Sequence, residues 1–119
     1  MSRKKPENQF DYIEFSANDI ERTKAFYAHV FGWRFEDYGP DYTAYFDDRL
    51  AGGFTKEVQP TGRGPLPVIY ASDLAAAIKK IEAAGGKIVK NIFSFPGGRR
   101  FHFADPNGNE LAVWSDIDS

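Results

Sequence analysis

The chain has no cysteine, a single methionine and no long apolar run among its 119 residues. Without cysteine there is no disulfide, no thiolate nucleophile and no sulfur ligand for a metal. No stretch approaches the roughly 20 apolar residues of a membrane span. Fifteen basic residues stand against 17 acidic ones, so there is no positive field to attract a nucleic-acid backbone. The start, Met1 to Pro6, carries Arg3, Lys4 and Lys5 without the apolar segment of a secretory signal. The expectation is a soluble cytoplasmic protein, binding neither nucleic acid nor membrane, with residues 1–9 as a flexible tail. Aromatic residues, in contrast, are abundant: 11 Phe, 6 Tyr and 2 Trp. Most belong in the core of one compact domain, and some are expected to line a ligand cavity.

Hydrophobic period and turn chemistry divide the chain. Phe10 to Phe15 alternates as a strand, with Ile13 and Phe15 on one face and Tyr12, Glu14 and Ser16 on the other. Asn18 reads as a helix cap, with Glu21 completing a capping box. Ile20, Thr23, Phe26, Tyr27, Val30 and Phe31 form the apolar face of the helix, and Gly32 ends it. Strands follow at Trp33 to Tyr38, Tyr42 to Phe46 and Leu50 to Thr55. Residues 56–65 hold Pro60, Gly62, Gly64 and Pro65, and read as a linker. Val68 to Ala71 is a strand. Ser72 or Asp73 starts a helix with Leu74, Ala77, Ile78 and Ile81 on one face, closed by Gly85-Gly86. Lys87 to Val89 and Ile92 to Phe95 read as two short strands. Residues 100–114 read as a hairpin around Asp105-Pro106-Asn107-Gly108-Asn109, because proline presets the turn and Asn-Gly tolerates positive φ.

The two halves repeat. Asp19 to Asp73 and Gly32 to Gly86 are both steps of 54 residues. Strand–helix–strand–strand–strand occurs twice, at about 10–55 and 66–115, and such self-similarity outranks local propensity as a signal of fold.

With these motifs the chain resembles the vicinal oxygen chelate superfamily, the glyoxalase I, bleomycin-resistance and extradiol-dioxygenase group. Asn18-Asp19-Ile20, Ala25-Phe26-Tyr27 and Phe31-Gly32-Trp33 match its first module. Ser72-Asp73-Leu74, Gly85-Gly86-Lys87 and the Asp105 to Asn109 turn match its second. The resemblance implies an α+β fold in a single domain over 10–115, with two βαβββ modules as a half-open, U-shaped barrel around a cavity. It also implies a homodimer and a divalent metal held by His, Glu or Gln. The positions that correspond to the ligands are Tyr12, Gly52 or Gly53, Leu66 and Ala112. These residues do not make the usual site, since Gly, Leu and Ala have no side-chain donor. No metal cofactor is therefore expected. Glu110, two residues before Ala112, is read as solvated.

Alternation from the ligand positions that the resemblance implies lines the expected cavity with Tyr12, Leu66, Val68, Tyr70, Ala112 and Trp114, with Glu14 as a polar group; the resemblance adds His102 as the other, with Arg100, two residues before it, at the mouth. In fosfomycin-resistance members the residue corresponding to His102 faces the site. A mostly apolar pocket with few polar groups suits a small organic ligand. The first reading is a metal-free small-molecule-binding protein of the bleomycin-resistance type. The alternatives are a lyase- or epimerase-like enzyme with Glu14 and His102 as an acid–base pair, and a metal-dependent lyase or dioxygenase with atypical ligands.

Overall fold

The computed structural model describes residues 6–57 and 64–117. The tail before Pro6 and most of the expected linker lie outside the described residues. Two passes of the same order run along the chain. The first is β1 (Gln9–Ser16), α1 (Ile20–Phe31), β2 (Arg34–Asp37), β3 (Tyr42–Phe46) and β4 (Ala51–Thr55). The second is β5 (Leu66–Tyr70), α2 (Leu74–Ala83), β6 (Lys87–Phe95), β7 (Gly98–Ala104) and β8 (Glu110–Ser115). The fold is α+β with two βαβββ modules, as the repeat implies. Neither helix is long and apolar enough to cross a membrane.

Both helices start on an aspartate. The Asp19 carboxylate accepts from the Arg22 N–H, and Asp73 from the Ala76 N–H, each supplying a partner to an orphan amide of the first turn. The cap is thus Asp19 and not Asn18. Counted from Asp19, the third helical residue is Arg22, so Glu21 cannot close a capping box. Gly32, at φ 72°, ends α1 by donating to the carbonyls of Ala28 and Tyr27. That left-handed conformation suits glycine.

Contacts divide the chain into two compact units, one spanning Tyr12–Leu66 and the other joining Met1–Asp11 to Pro67–Ser119. In the first, β1 pairs with β4 in parallel, and β4, β3 and β2 follow antiparallel. Phe15 packs beneath α1 with Ala17, Ile20, Tyr45 and Phe54. Tyr27, Trp33 and Tyr45 form a continuous stack, with centroids 4.7 and 4.5 Å apart, an offset-stacked arrangement that adds to area burial. Burial pushes the Tyr45 phenol up to about 12. Much of the aromatic content is spent in this core. The expected apolar face of α1 is only partly covered: Phe26, Val30 and Phe31 are exposed. Ile20 and Tyr27, seven residues apart, pack into the core with Phe54, while Phe26 and Phe31 lie against the Tyr27 ring with much of their surface open.

In the second unit β5 pairs with β8 in parallel, and β8, β7 and β6 follow antiparallel. Phe101, Leu74, Ala71 and Val113 form the core, with Ile69, Ile78, Ile81, Ile88 and Phe103 packed around them. The start of the chain joins this unit. Glu7 accepts from the Ser72 amide at 3.1 Å, and the Asn8 N–H donates to the Tyr70 carbonyl at 2.7 Å.

The Asp105 turn forms as its residues require. The Asp105 carboxylate accepts from the Asn107 and Asn109 amides and from the Asn109 side chain, which hold it below the usual carboxylate range. Gly108 takes φ 88°. Residues 87–95 form one strand and not two, with irregularities between Ile88 and Lys90 and between Lys90 and Phe93.

Candidate functional site

Strand register assembles one face of the second unit. Tyr70 lies beside Trp114 and Val68 beside Ala112, while Arg100 faces Trp114 and His102 faces Ala112. Alternation sends these side chains away from α2, because Phe101, Phe103 and Val113 take the α2 side. The irregularities in β6 then bring in residues that simple alternation does not. Ile88 opposes Phe103 on the α2 side, yet Lys90 opposes His102, so two residues of β6 span one of β7 and the face switches. A second shift places Phe93 opposite Arg100. Bulges re-aim side chains in this way.

The result is a row of rings with cations among them. Tyr70 meets Trp114 edge-on at 5.4 Å, and Phe95 lies 6.2 Å from Trp114. Arg100 sits over Phe93 and Phe95, at 5.3 and 5.8 Å, and the Lys90 ammonium is 4.2 Å from the Phe93 centroid, within cation–π range. The Trp114 indole N–H donates to Asp11 at 3.0 Å, and the Tyr70 hydroxyl donates to Asp116 at 2.6 Å. These bonds fix both rings.

His102 is 8% exposed. Its Nδ1 is 2.8 Å from Glu110 Oε2. An ionised carboxylate only accepts, so Nδ1 carries the hydrogen and Nε2 presents a lone pair. That Nε2 is buried and has no hydrogen-bond partner among the described residues. Burial pulls the His102 pKa below its ordinary value. The hydrogen bond that Nδ1 donates to Glu110 opposes this lowering, and the charges of Arg100 and Lys90 reinforce it. Glu110, read from sequence as solvated, is half exposed and engaged with His102. The hairpin places Ala104 opposite Glu110 and His102 opposite Ala112, so His102 and Glu110 are diagonal neighbours on one face.

A pH dependence follows. Above about pH 6.5 the ring is neutral both folded and unfolded. As the pH falls below that, the unfolded chain binds the proton first, because its His pKa is the higher one. Stability therefore declines, and the loss is complete once the pH passes the folded-state value. Urea unfolding from pH 7.5 to 5 should show this slope in the wild type and a flatter one in His102→Gln. Parallel slopes would contradict it.

In the first unit Tyr12 and Glu14 share a face with Tyr42. The Tyr42 hydroxyl donates to Glu14 at 2.9 Å and is hydrogen-bonded to the Tyr12 hydroxyl. Burial, and then the Glu14 charge, push the Tyr42 phenol far above its usual range. Gly53 lies on this face and Gly52 on the other. A Cβ on Gly53 would run into the Tyr42 ring and hydroxyl and come within 2.6 Å of the Tyr12 hydroxyl, whereas one on Gly52 would meet the Tyr45 ring and the Ile13 carbonyl. The position that the resemblance assigns to a metal ligand is thus Gly53, and Tyr42 fills the space a ligand side chain would need. Ala112 is fully buried opposite His102 and has no donor. Among the described residues no three His, Cys, Asp or Glu side chains are grouped to hold a metal. The residues present do not fit the superfamily's metal.

A separate shallow groove of about 410 Å³ opens at the start of α1, lined by residues that include Asn18, Arg22, Phe26 and Phe54. Its carboxylate, Asp19, is committed to the helix cap.

Sequence reasoning missed Lys90, Phe93 and Phe95, because an irregular strand hides its facing, and Tyr42. A reading of Tyr42 against the glycines opposite it could have found the latter, since a large ring across from Gly-Gly fills the space the glycines leave.

The family model described as Glyoxalase/Bleomycin resistance protein/Dioxygenase superfamily matches residues 9–113. A glyoxylase-like domain-containing protein from Didymella fabae is 29% identical, over 88% of this chain and 91% of that protein. A hypothetical protein from Bacillus halodurans has a similar structure, with a TM-score of 0.75 at 13% identity over 94% of this chain and 96% of that one. The Mn(II)-bound glyoxalase from Novosphingobium aromaticivorans gives a TM-score of 0.68 at 22% identity, over 92% of this chain and 39% of that one. At such identities the structural likeness speaks for the fold.

Proposed function

Since this chain belongs to the glyoxalase/bleomycin resistance protein/dioxygenase superfamily, we propose that it is a small-molecule-binding member that works without a metal at the superfamily's customary positions. The ligand seats on the strand face of β5, β8, β7 and β6. The observation that carries this reading is the row Tyr70, Trp114, Phe95 and Phe93 with Arg100 among the rings. Rings held by hydrogen bonds at Asp11 and Asp116 lose little freedom on binding, which favours affinity. Arg100 adds a charge that suits an acidic planar compound.

The second reading is an acid–base enzyme, lyase- or epimerase-like. It is favoured by the His102–Glu110 pair, since a neutral imidazole with an oriented Nδ1–H and a bare Nε2 is the form a general base takes. Glu110 there holds the orienting role, and Glu14 is bonded to Tyr42.

The test is a titration of EDTA-dialysed protein with a panel of planar aromatic carboxylates, followed by calorimetry, with product analysis of the same samples. Binding is expected to survive EDTA and to fall by roughly tenfold or more in Trp114→Ala, as for a buried aromatic anchor. Binding that requires added metal, or that Trp114→Ala leaves intact, would overturn the first reading. Turnover abolished by His102→Ala would establish the second.

A further inference from the structure

We propose that Nε2 of His102 is the acceptor for an acidic hydroxyl group, and that the ligand of this face is a hydroxyaryl compound, a phenol whose O–H donates to that nitrogen. The proposal rests on the binding face proposed above and names what that face selects.

Three observations converge. First, Nε2 is shielded from solvent and lacks a hydrogen-bond partner among the described residues, whereas buried polar atoms are nearly always satisfied. Second, Glu110 takes the Nδ1 hydrogen, which leaves Nε2 able only to accept. A carboxylate or carbonyl oxygen placed there would find no donor. An ammonium donor would meet Arg100 and Lys90, the cations on the same face. A neutral donor that gains partial negative charge as it gives up its hydrogen suits all three groups, and an acidic hydroxyl is such a donor. Third, the surroundings are aromatic. The Phe93 ring centre lies 5.8 Å from the imidazole, and Phe95 and Trp114 continue the row. A planar ring carrying the hydroxyl would stack among them. Phe93 follows the second irregularity of β6 and is only partly buried, so it is the side chain that yields as the ring enters.

The probes are 4-nitrophenol and its methyl ether, 4-nitroanisole, which keeps the ring and nitro group but cannot donate. Calorimetric titration of the wild type is expected to show the phenol binding about tenfold more tightly than the ether, the effect of one hydrogen bond to a buried acceptor. In His102→Phe the two are expected to bind within about twofold of each other. In Glu110→Gln, where the tautomer is no longer enforced, the preference should be intermediate. Long-range ¹H–¹⁵N spectra of the wild type provide a readout that needs no variant. The Nε2 resonance should be that of an unprotonated nitrogen and should move with 4-nitrophenol but not with 4-nitroanisole.

Equal binding of the two probes by the wild type overturns the hydroxyl site. If that equal binding is lost in Trp114→Ala, the aromatic binding face still stands. A phenol preference unchanged in His102→Phe, an Nε2 that carries the hydrogen, or no binding of either probe also overturns the proposal. The carboxylate panel then decides the binding face separately.

Discussion

Gly52→Ala is expected to destabilise the protein by about 3 kcal/mol or more, the upper end of what overpacking costs. The added methyl would be forced against the Ile13 carbonyl and the Tyr45 ring. Ile13 is held in the β1–β4 ladder, and Tyr45 is buried in the stack with Trp33, so neither can move away cheaply. Gly53→Ala differs in kind. Its methyl meets the side chains of Tyr42 and Tyr12, which can swing if their hydrogen bonds break. The expected loss is about 1–3 kcal/mol, and it should shrink in the double variant Gly53→Ala, Tyr42→Ala, because the second truncation removes the clash. Such coupling between touching residues is what a double-mutant cycle measures. Urea unfolding of the four proteins decides it. Strict additivity at position 53 would mean that Tyr42 does not fill that space and that a larger side chain fits there.

Phe101→Ala is expected to cost about 3–5 kcal/mol, the range for an aromatic ring deleted from a core that cannot close over the gap. Phe101 has no exposed surface and is packed with Leu74, Ala71 and Val113. Domains of this size hold only about 5–15 kcal/mol in total, so the variant should sit near its unfolding midpoint at modest urea. Phe26→Ala is the control. Phe26 belongs to the apolar stripe of α1 in sequence but is exposed, and its truncation should change stability by no more than roughly 0.5 kcal/mol. Comparable losses at the two positions would mean that Phe26 is covered in solution.

The repeat of the two βαβββ modules, the glycine that ends α1 and the Asp105 turn were legible because each rests on local chemistry. Aspartate satisfies first-turn amides, glycine takes positive φ, and period two sets the facing of a regular strand. For that reason alternation could group Val68 with Tyr70, Arg100 with His102 and Ala112 with Trp114, each pair on one face of its own strand; that the three pairs share a face was an expectation from the resemblance, and the register agrees with it. Which carboxylate His102 meets depends on which residues lie diagonal across the hairpin, and that came only with the tertiary structure. So did Lys90 and Phe93, because an irregular strand changes faces where no composition marks it, and so did the exposure of Phe26 and Phe31, because the width of a helix's apolar stripe does not say how much of it is covered. Tyr42 in the space beside Gly53 is the clearest case. The sequence by itself determined which residues stand at the positions that the resemblance assigns to metal ligands; only packing between distant residues decided that Tyr42 fills the space beside Gly53.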